Sequence, residues 1–244
     1  MPHRPPKSHL SDAPVVDQRV YGRRLGRPLR AARQSAVDVW LPQIGVTVPA
    51  EPASLDPLSL FGGGVAEAWL EVGFGAGEHL LAQAAAHPHA GLIGCEPFIN
   101  GMAALLRAID EEPARAANIR VLMDDARPLI ASFKDASIAK AFILFPDPWP
   151  KARHHKRRFV SKPNLDQLAR VLKDGAELRL ATDDPGYLRW MVTEMTDHPA
   201  FRWTARRPAD WRERPADSPK TRYEDKGLAG HAPAFMTWRR LPRA

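Results

Sequence analysis

Three acidic positions in this sequence stand directly behind short apolar runs, and each is followed by a helical pattern. The first run ends in Glu71-Val-Gly73-Phe-Gly75-Ala-Gly77, the second in Glu96, and the third in Asp124-Asp125. Glycines at a tight strand-to-helix turn permit positive φ and let the backbone approach a ligand closely. A dinucleotide-binding turn would read G-x-G-x-x-G and place a pyrophosphate at the helix N-terminus. Here the last position of that pattern is Glu78, whose charge opposes a pyrophosphate and argues against a nicotinamide dehydrogenase.

A cofactor without phosphates tolerates such an acid. S-adenosylmethionine is one, with an ammonium and a sulfonium at its methionyl end. Glu71, Gly73, Gly75 and Gly77 are therefore expected to cradle that end, and Glu96 to accept both ribose hydroxyls, as carboxylates at this strand end do in dinucleotide folds. The adenine amino group falls to the third acid, with Asp125 favoured over Asp124 because adjacent residues alternate in direction. Read as structure alone, the glycines are an ordinary turn and the acids are caps. Three acids at three consecutive strand ends argue instead for a shared ligand.

A second constellation follows the fourth apolar run, in Phe145-Pro146-Asp147-Pro148-Trp149-Pro150-Lys151. Two prolines restrict the backbone around Asp147. A carboxylate beside a planar aromatic suits guanine, whose N1–H and N2–H2 edge offers adjacent donors. From Lys151 through Arg153, His154, His155, Lys156, Arg157 and Arg158 to Lys162 the chain carries six Lys/Arg and no acid, as a loop that holds a phosphate backbone should. Asp183 closes the fifth strand, and Thr221, Arg222, Tyr223 and Glu224 lie in a polar stretch before the last. These could line a base pocket from the far side, or serve only as a helix cap (Asp183) and a local turn pair (Thr221, Glu224).

The elements that must position these residues alternate. Strands are expected at 68–72, 92–95, 119–123, 139–145 and 176–181, and helices at 78–86, 98–109, 126–133, 164–172 and 187–195, the last capped by Asp183 or Asp184 with Pro185 in its first turn. Two late strands are expected at 201–204 and 234–238. Such alternation implies an α/β fold, a doubly wound Rossmann-like sheet, mostly parallel with a late antiparallel strand and helices on both faces. Ligands bind such sheets outside the carboxyl ends of the strands, where all the residues above fall.

Residues 1–34, with eight Lys/Arg against two Asp, read as a flexible basic arm. Residues 35–64 read as an irregular transitional segment interrupted by Pro42, Pro49, Pro52, Pro57 and Gly62-Gly63-Gly64, with Val37, Val39, Trp40, Leu41 and Ile44 available to pack on a core. Residues 65–244 are expected to form the S-adenosylmethionine-dependent methyltransferase domain. The net charge of +7 favours a polyanionic partner. A single cysteine, Cys95, allows no internal disulfide and suits the cytosol; it is expected to be a buried neighbour of Glu96 rather than a nucleophile. No Cys/His spacing suggests a metal, and no apolar run suggests a membrane span or a secretory signal.

Taken in order, Glu-Val-Gly-Phe-Gly-Ala-Gly at 71–77, Gly-Cys-Glu-Pro at 94–97, Phe-Pro-Asp-Pro-Trp-Pro-Lys at 145–151, Arg-His-His-Lys-Arg-Arg at 153–158, Ala-Thr-Asp at 181–183 and Thr-Arg-Tyr-Glu at 221–224 resemble the bacterial tRNA (guanine-N7)-methyltransferase family over about residues 65–240. The resemblance implies S-adenosylmethionine contacts at Glu71, Glu96, Asp125 and Asp147, with Asp147 as the catalytic centre. It implies substrate contacts at Lys151, Asp183 and Thr221 to Glu224, and an RNA-facing loop at 153–158. Pro150 stands where the family commonly has a histidine, and Asp184 where an aromatic residue follows Thr-Asp. The reaction implied is methylation of a variable-loop guanosine. N7 of guanine attacks with a free lone pair, so alignment rather than deprotonation is the main demand on the enzyme.

Overall fold

The computed structural model describes residues 22, 24–225, 227 and 230–243. Most of the expected basic arm lies outside the described residues. Its last part does not: residues 24–30 run along the start of a helix, where Ile99 N donates to Arg24 O at 3.1 Å and Asn100 Nδ2 to Arg27 O at 3.0 Å.

Seven strands form one sheet: β1 (Glu67–Val72), β2 (Ala90–Cys95), β3 (Ile119–Leu122), β4 (Ile138–Leu144), β5 (Leu172–Thr182), β6 (Phe201–Trp203) and β7 (Ala234–Arg240). The spatial order is β3-β2-β1-β4-β5-β7-β6. The first five are parallel, and β7 runs antiparallel between β5 and β6. The order reverses between β1 and β4, the place where parallel sheets open a crevice.

The helices are α1 (Ala31–Ile44), α2 (Glu78–Ala86), α3 (Ile99–Glu111), α4 (Ala126–Ser132), α5 (Lys162–Val171) and α6 (Pro185–Asp197), with single turns α7 (Ala209–Arg212) and α8 (Arg222–Asp225). They cover both faces. Along β1, Ala68, Leu70 and Val72 point into a core shared with α4, α5 and α6, while Trp69 points into one shared with α1, α2 and α3. That alternation fixes which face each site acid belongs to.

One expectation fails. The segment read as irregular from residue 35 begins with most of α1, which carries Pro42 in its interior. The helix forms because Ala36, Val37 and Ile44 bury against α3, and tertiary packing outweighs the weak local pattern. After it, Val46 N donates to Val121 O at 2.8 Å, tying the connection to β3.

Candidate active site

A cavity of about 470 Å³ opens at the carboxyl ends of β1 to β4. Gly73 and Gly75 form one side, with φ of +73° and +59°, and a Cβ at either would meet nothing within 4 Å. These glycines serve a backbone conformation that side chains disfavour and leave an open cradle. Gly77 has another task. A Cβ there would sit 2.6 Å from Leu105 Cδ1, so it lets α2 close against α3, and it does not line the cavity. The sequence reading did not single out Gly101. Its place within α3 is the only signal: a Cβ there would lie 2.4 Å from Gly75 O, so α3 needs glycine to support the loop from below.

Glu96 ends β2 and is 8% exposed. Its Oε2 accepts from Gly75 N at 2.8 Å and its Oε1 from Phe98 N at 2.9 Å, which fixes the carboxylate across the cradle. Each oxygen keeps a further lone pair for a ligand hydroxyl. Burial raises its pKa, and the two backbone donors oppose that rise. Cys95 is buried, and burial beside Asp125 and Glu96 drives its thiol pKa upward, which makes it inert.

Glu71 departs from the reading made above. Period-two alternation places it on the α2 face of β1, where Oε2 meets His79 Nδ1 at 2.8 Å, and both side chains are buried. A carboxylate only accepts, so Nδ1 carries the hydrogen. Glu71 is not among the residues that line the cavity; its partner is His79 on α2.

Both Asp124 and Asp125 reach the cavity. Asp125 caps α4, its Oδ1 accepting from Arg127 N at 2.8 Å and Arg127 Nε at 2.8 Å, its Oδ2 from Arg127 Nη2 at 2.7 Å. A carboxylate has about four acceptor sites, so one remains at Oδ2. Asp124 Oδ1 accepts from Arg24 and from Asp125 N, which ties the segment before α1 to the rim of the cavity.

Asp147 lies opposite Glu96, on the turn after β4. Phe145 and Trp149 on either side of it adopt φ of +51° and +44°, values costly for aromatic residues and maintained only by their surroundings. The brace is Arg158. Its Nε donates to Pro148 O at 2.8 Å, and its guanidinium lies 5.0 Å from the ring centroids of both Tyr187 and Trp190. At 4% exposure Arg158 is not an RNA contact, contrary to the sequence reading. Arg153 and Lys156 are exposed, whereas Arg157 stacks over Trp149 at 4.9 Å and lines the cavity. His154 and His155 pack edgewise on Trp149 and Trp190. Lys151 is exposed at the start of this turn and does not reach the cavity. Burial pushes the Asp147 carboxyl above the usual carboxylate range.

The far wall is Tyr223. Its ring centroid lies 5.2 Å from that of Phe145, and its hydroxyl donates to Asp183 Oδ1 at 3.2 Å. Burial, then the Asp183 charge, raises its pKa to about 12. Thr221 and Glu224 take the local role. Thr221 N and Oγ1 donate to Glu224 Oε2 at 2.9 and 3.0 Å, and Arg214 Nη1 lies 2.6 Å from Glu224 Oε1. Arg222 turns away, to Glu78 at 3.2 Å. Asp184, not Asp183, caps α6, its Oδ1 accepting from Tyr187 N at 2.6 Å. Among the described residues no cluster of His, Cys, Asp or Glu could hold a metal, and no helix is long and apolar enough to cross a membrane.

A sheet of this order, with an acid-glycine turn after its first strand and a ribose-ready carboxylate after its second, defines a class I S-adenosylmethionine-dependent methyltransferase. Solved structures with the same fold include the 16S rRNA methyltransferase KamB, at TM-score 0.55 and 16% identity over 73% of this chain and 90% of that one. The 16S rRNA (adenine(1408)-N(1))-methyltransferase from Catenulisporales acidiphilia gives 0.52 and 18% over 81% and 100%. A family model described as "Putative methyltransferase" matches residues 66–237. The tRNA (guanine-N(7)-)-methyltransferase of Rhodospirillum rubrum is 51% identical over 96% of this chain and 92% of its own length, and that of Paramagnetospirillum magneticum 46% over 92% and 94%. The chain belongs to the tRNA (guanine-N7)-methyltransferase family.

Proposed function

We propose that this enzyme transfers the methyl group of S-adenosylmethionine to N7 of a guanosine in the variable loop of tRNA, in the cytosol. One observation carries the reading beyond the family relationship: a single cavity joins the glycine cradle and Glu96 on one side to Asp147 and Tyr223 on the other. A cofactor on the first wall and a planar base on the second would share it.

S-adenosylmethionine, when bound, supplies an activated methyl group. Gly73 and Gly75 leave backbone open to its methionyl end, Glu96 accepts the ribose hydroxyls, and the remaining acceptor of Asp125 takes the adenine amino group. Tyr223, held by Asp183 and Phe145, offers a flat wall against which the base stacks. Asp147 faces the donor edge of guanine and orients it. Guanine gains a positive charge as N7 is methylated, and Asp147 is the carboxylate placed to stabilise that charge. No group has to remove a proton from N7. Alignment in a desolvated site supplies the rate, on the order of 7–11 kcal/mol in favourable cases. Arg153 and Lys156 hold phosphates outside the cavity.

The test is transfer of labelled methyl from S-adenosylmethionine to unmodified tRNA, followed by nucleoside identification and mapping. N7-methylguanosine in the variable loop is the expected product. Label in another base, or none in any tRNA despite cofactor binding, would overturn the reading.

A further inference from the structure

The turn that carries Asp147 has two sides. Trp149 and Arg157 face the cofactor cavity, while Pro150, His155 and Arg158 face a second one of about 550 Å³ whose other wall is α6. That volume lies in the range that holds a small ligand such as a nucleotide. Its floor is aromatic: the His155 and Trp190 ring centroids lie 5.4 Å apart at 62°. Trp190 is held there from two directions, by Nε1 donating to Val160 O at 2.7 Å and by the Arg158 guanidinium near its ring.

The rim of this cavity is polar. Arg189 and Glu194 both line this cavity, and no hydrogen bond or ion pair joins either side chain to another described residue. Asp184 lines it too, one oxygen committed to its helix cap and the other free of that bond. Two guanidinium groups (Arg158, already committed to Pro148 O and two rings, and Arg189), two carboxylates and an aromatic floor form a mixed set. A purely phosphate-binding groove would not carry the acids, since each opposes a polyanion. A nucleotide satisfies the whole set. Its phosphate pairs with Arg189, its base packs on His155 and Trp190, and a base N–H2 donates to Glu194 or Asp184.

We infer that this cavity is a second nucleotide subsite, and that it takes an amino-bearing base flanking the target guanosine in the same RNA strand. The inference rests on the proposed RNA substrate. A nucleotide inserted beside Asp147 brings its neighbours to the turn that separates the two cavities, so the wall between them becomes the point over which the backbone bends. Specificity for sequence next to the target then comes from α6, and the alkylated base itself is read only in the first cavity.

The experiment uses the full chain with unmodified tRNA and S-adenosylmethionine, comparing wild type with Arg189→Ala and Glu194→Gln, on tRNAs carrying each base in turn beside the target. Wild type is expected to prefer A, C or G over U at one flanking position by about tenfold in kcat/KM. Glu194→Gln is expected to lose most of that preference, and Arg189→Ala to raise KM for every tRNA about tenfold. Both variants should keep the wild-type KM for S-adenosylmethionine. Wild-type turnover with no base preference at any flanking position would overturn the inference, as would variants indistinguishable from wild type. A KM effect of Arg189→Ala without any effect of Glu194→Gln would mean a phosphate contact alone and would overturn it as well. A wild type that forms no N7-methylguanosine would instead remove the substrate reading, and this inference with it.

Discussion

At the scale of single residues the site is organised around carboxylates whose environments differ. Asp147 stands on an exposed turn at the rim of the cavity, and the desolvation it meets there raises its pKa. The folded protein therefore binds a proton more tightly there. Any stability this gives is present below the ordinary carboxylate range and is lost as pH rises through the raised value, and solvent screening at an exposed position keeps it small. Its charge also pushes Glu96 upward. Asp147→Asn relieves both. We expect kcat to fall about 100-fold while the melting temperature at pH 7 stays at the wild-type value, because the exposed carboxylate is screened by solvent. Steady-state rates with thermal scans at pH 7 check this, and a large loss of melting temperature would show that the carboxylate supports the fold instead of the reaction.

At the scale of elements, the sequence reveals strands and helices far better than it reveals what each side chain faces. The strand-ending acids are legible because alternating β and α periods mark where each loop begins. The pairing of Glu71 with His79 is not legible in sequence, because the direction of Glu71 depends on strand phase and its partner arrives only with the packing of α2. Arg158 was misassigned to RNA because a buried cation between Tyr187 and Trp190 looks, in sequence, like one more member of a basic run. α1 was missed because Pro42 is a strong local signal and packing on α3 is not a local signal at all. Two predictions belong here. Arg158→Ala removes the donor to Pro148 O and both ring contacts, and should cost about 2–3 kcal/mol. Arg158→Lys should recover little of it, since an ammonium lacks the planar fork. Both variants should keep the wild-type salt dependence of tRNA binding, the readout that separates a brace from an RNA contact. Gly101→Ala would drive a methyl into Gly75 O across the α3 packing seam. It should raise KM for S-adenosylmethionine about tenfold or more at a stability cost of roughly 1–3 kcal/mol, measurable by calorimetric titration and thermal melts; unchanged cofactor affinity would show the cradle to be insensitive to its support.

At the scale of the whole molecule, charge is divided by function. Acids gather at the carboxyl ends of the strands, inside the cavity, while the exposed cations of the turn after β4 stand outside it, with Arg153 and Lys156 both open to solvent. With a net charge of +7, long-range attraction brings the polyanion in, yet only residues beside the cavity can register the target against Asp147. Salt separates these roles. Each phosphate neutralised contributes roughly 0.7–0.9 to the slope of log affinity against log salt. The wild type should therefore lose tRNA affinity steeply between about 50 and 200 mM salt, while its affinity for S-adenosylmethionine barely changes. The double variant Arg153→Ala/Lys156→Ala should reduce the tRNA slope by about 1.5 and leave cofactor binding untouched. An unaltered slope would place the RNA backbone on another face of the molecule. A reduced slope with unchanged kcat at saturating tRNA would show that the loop captures the substrate and that the walls of the cavity, not the loop, align it for transfer.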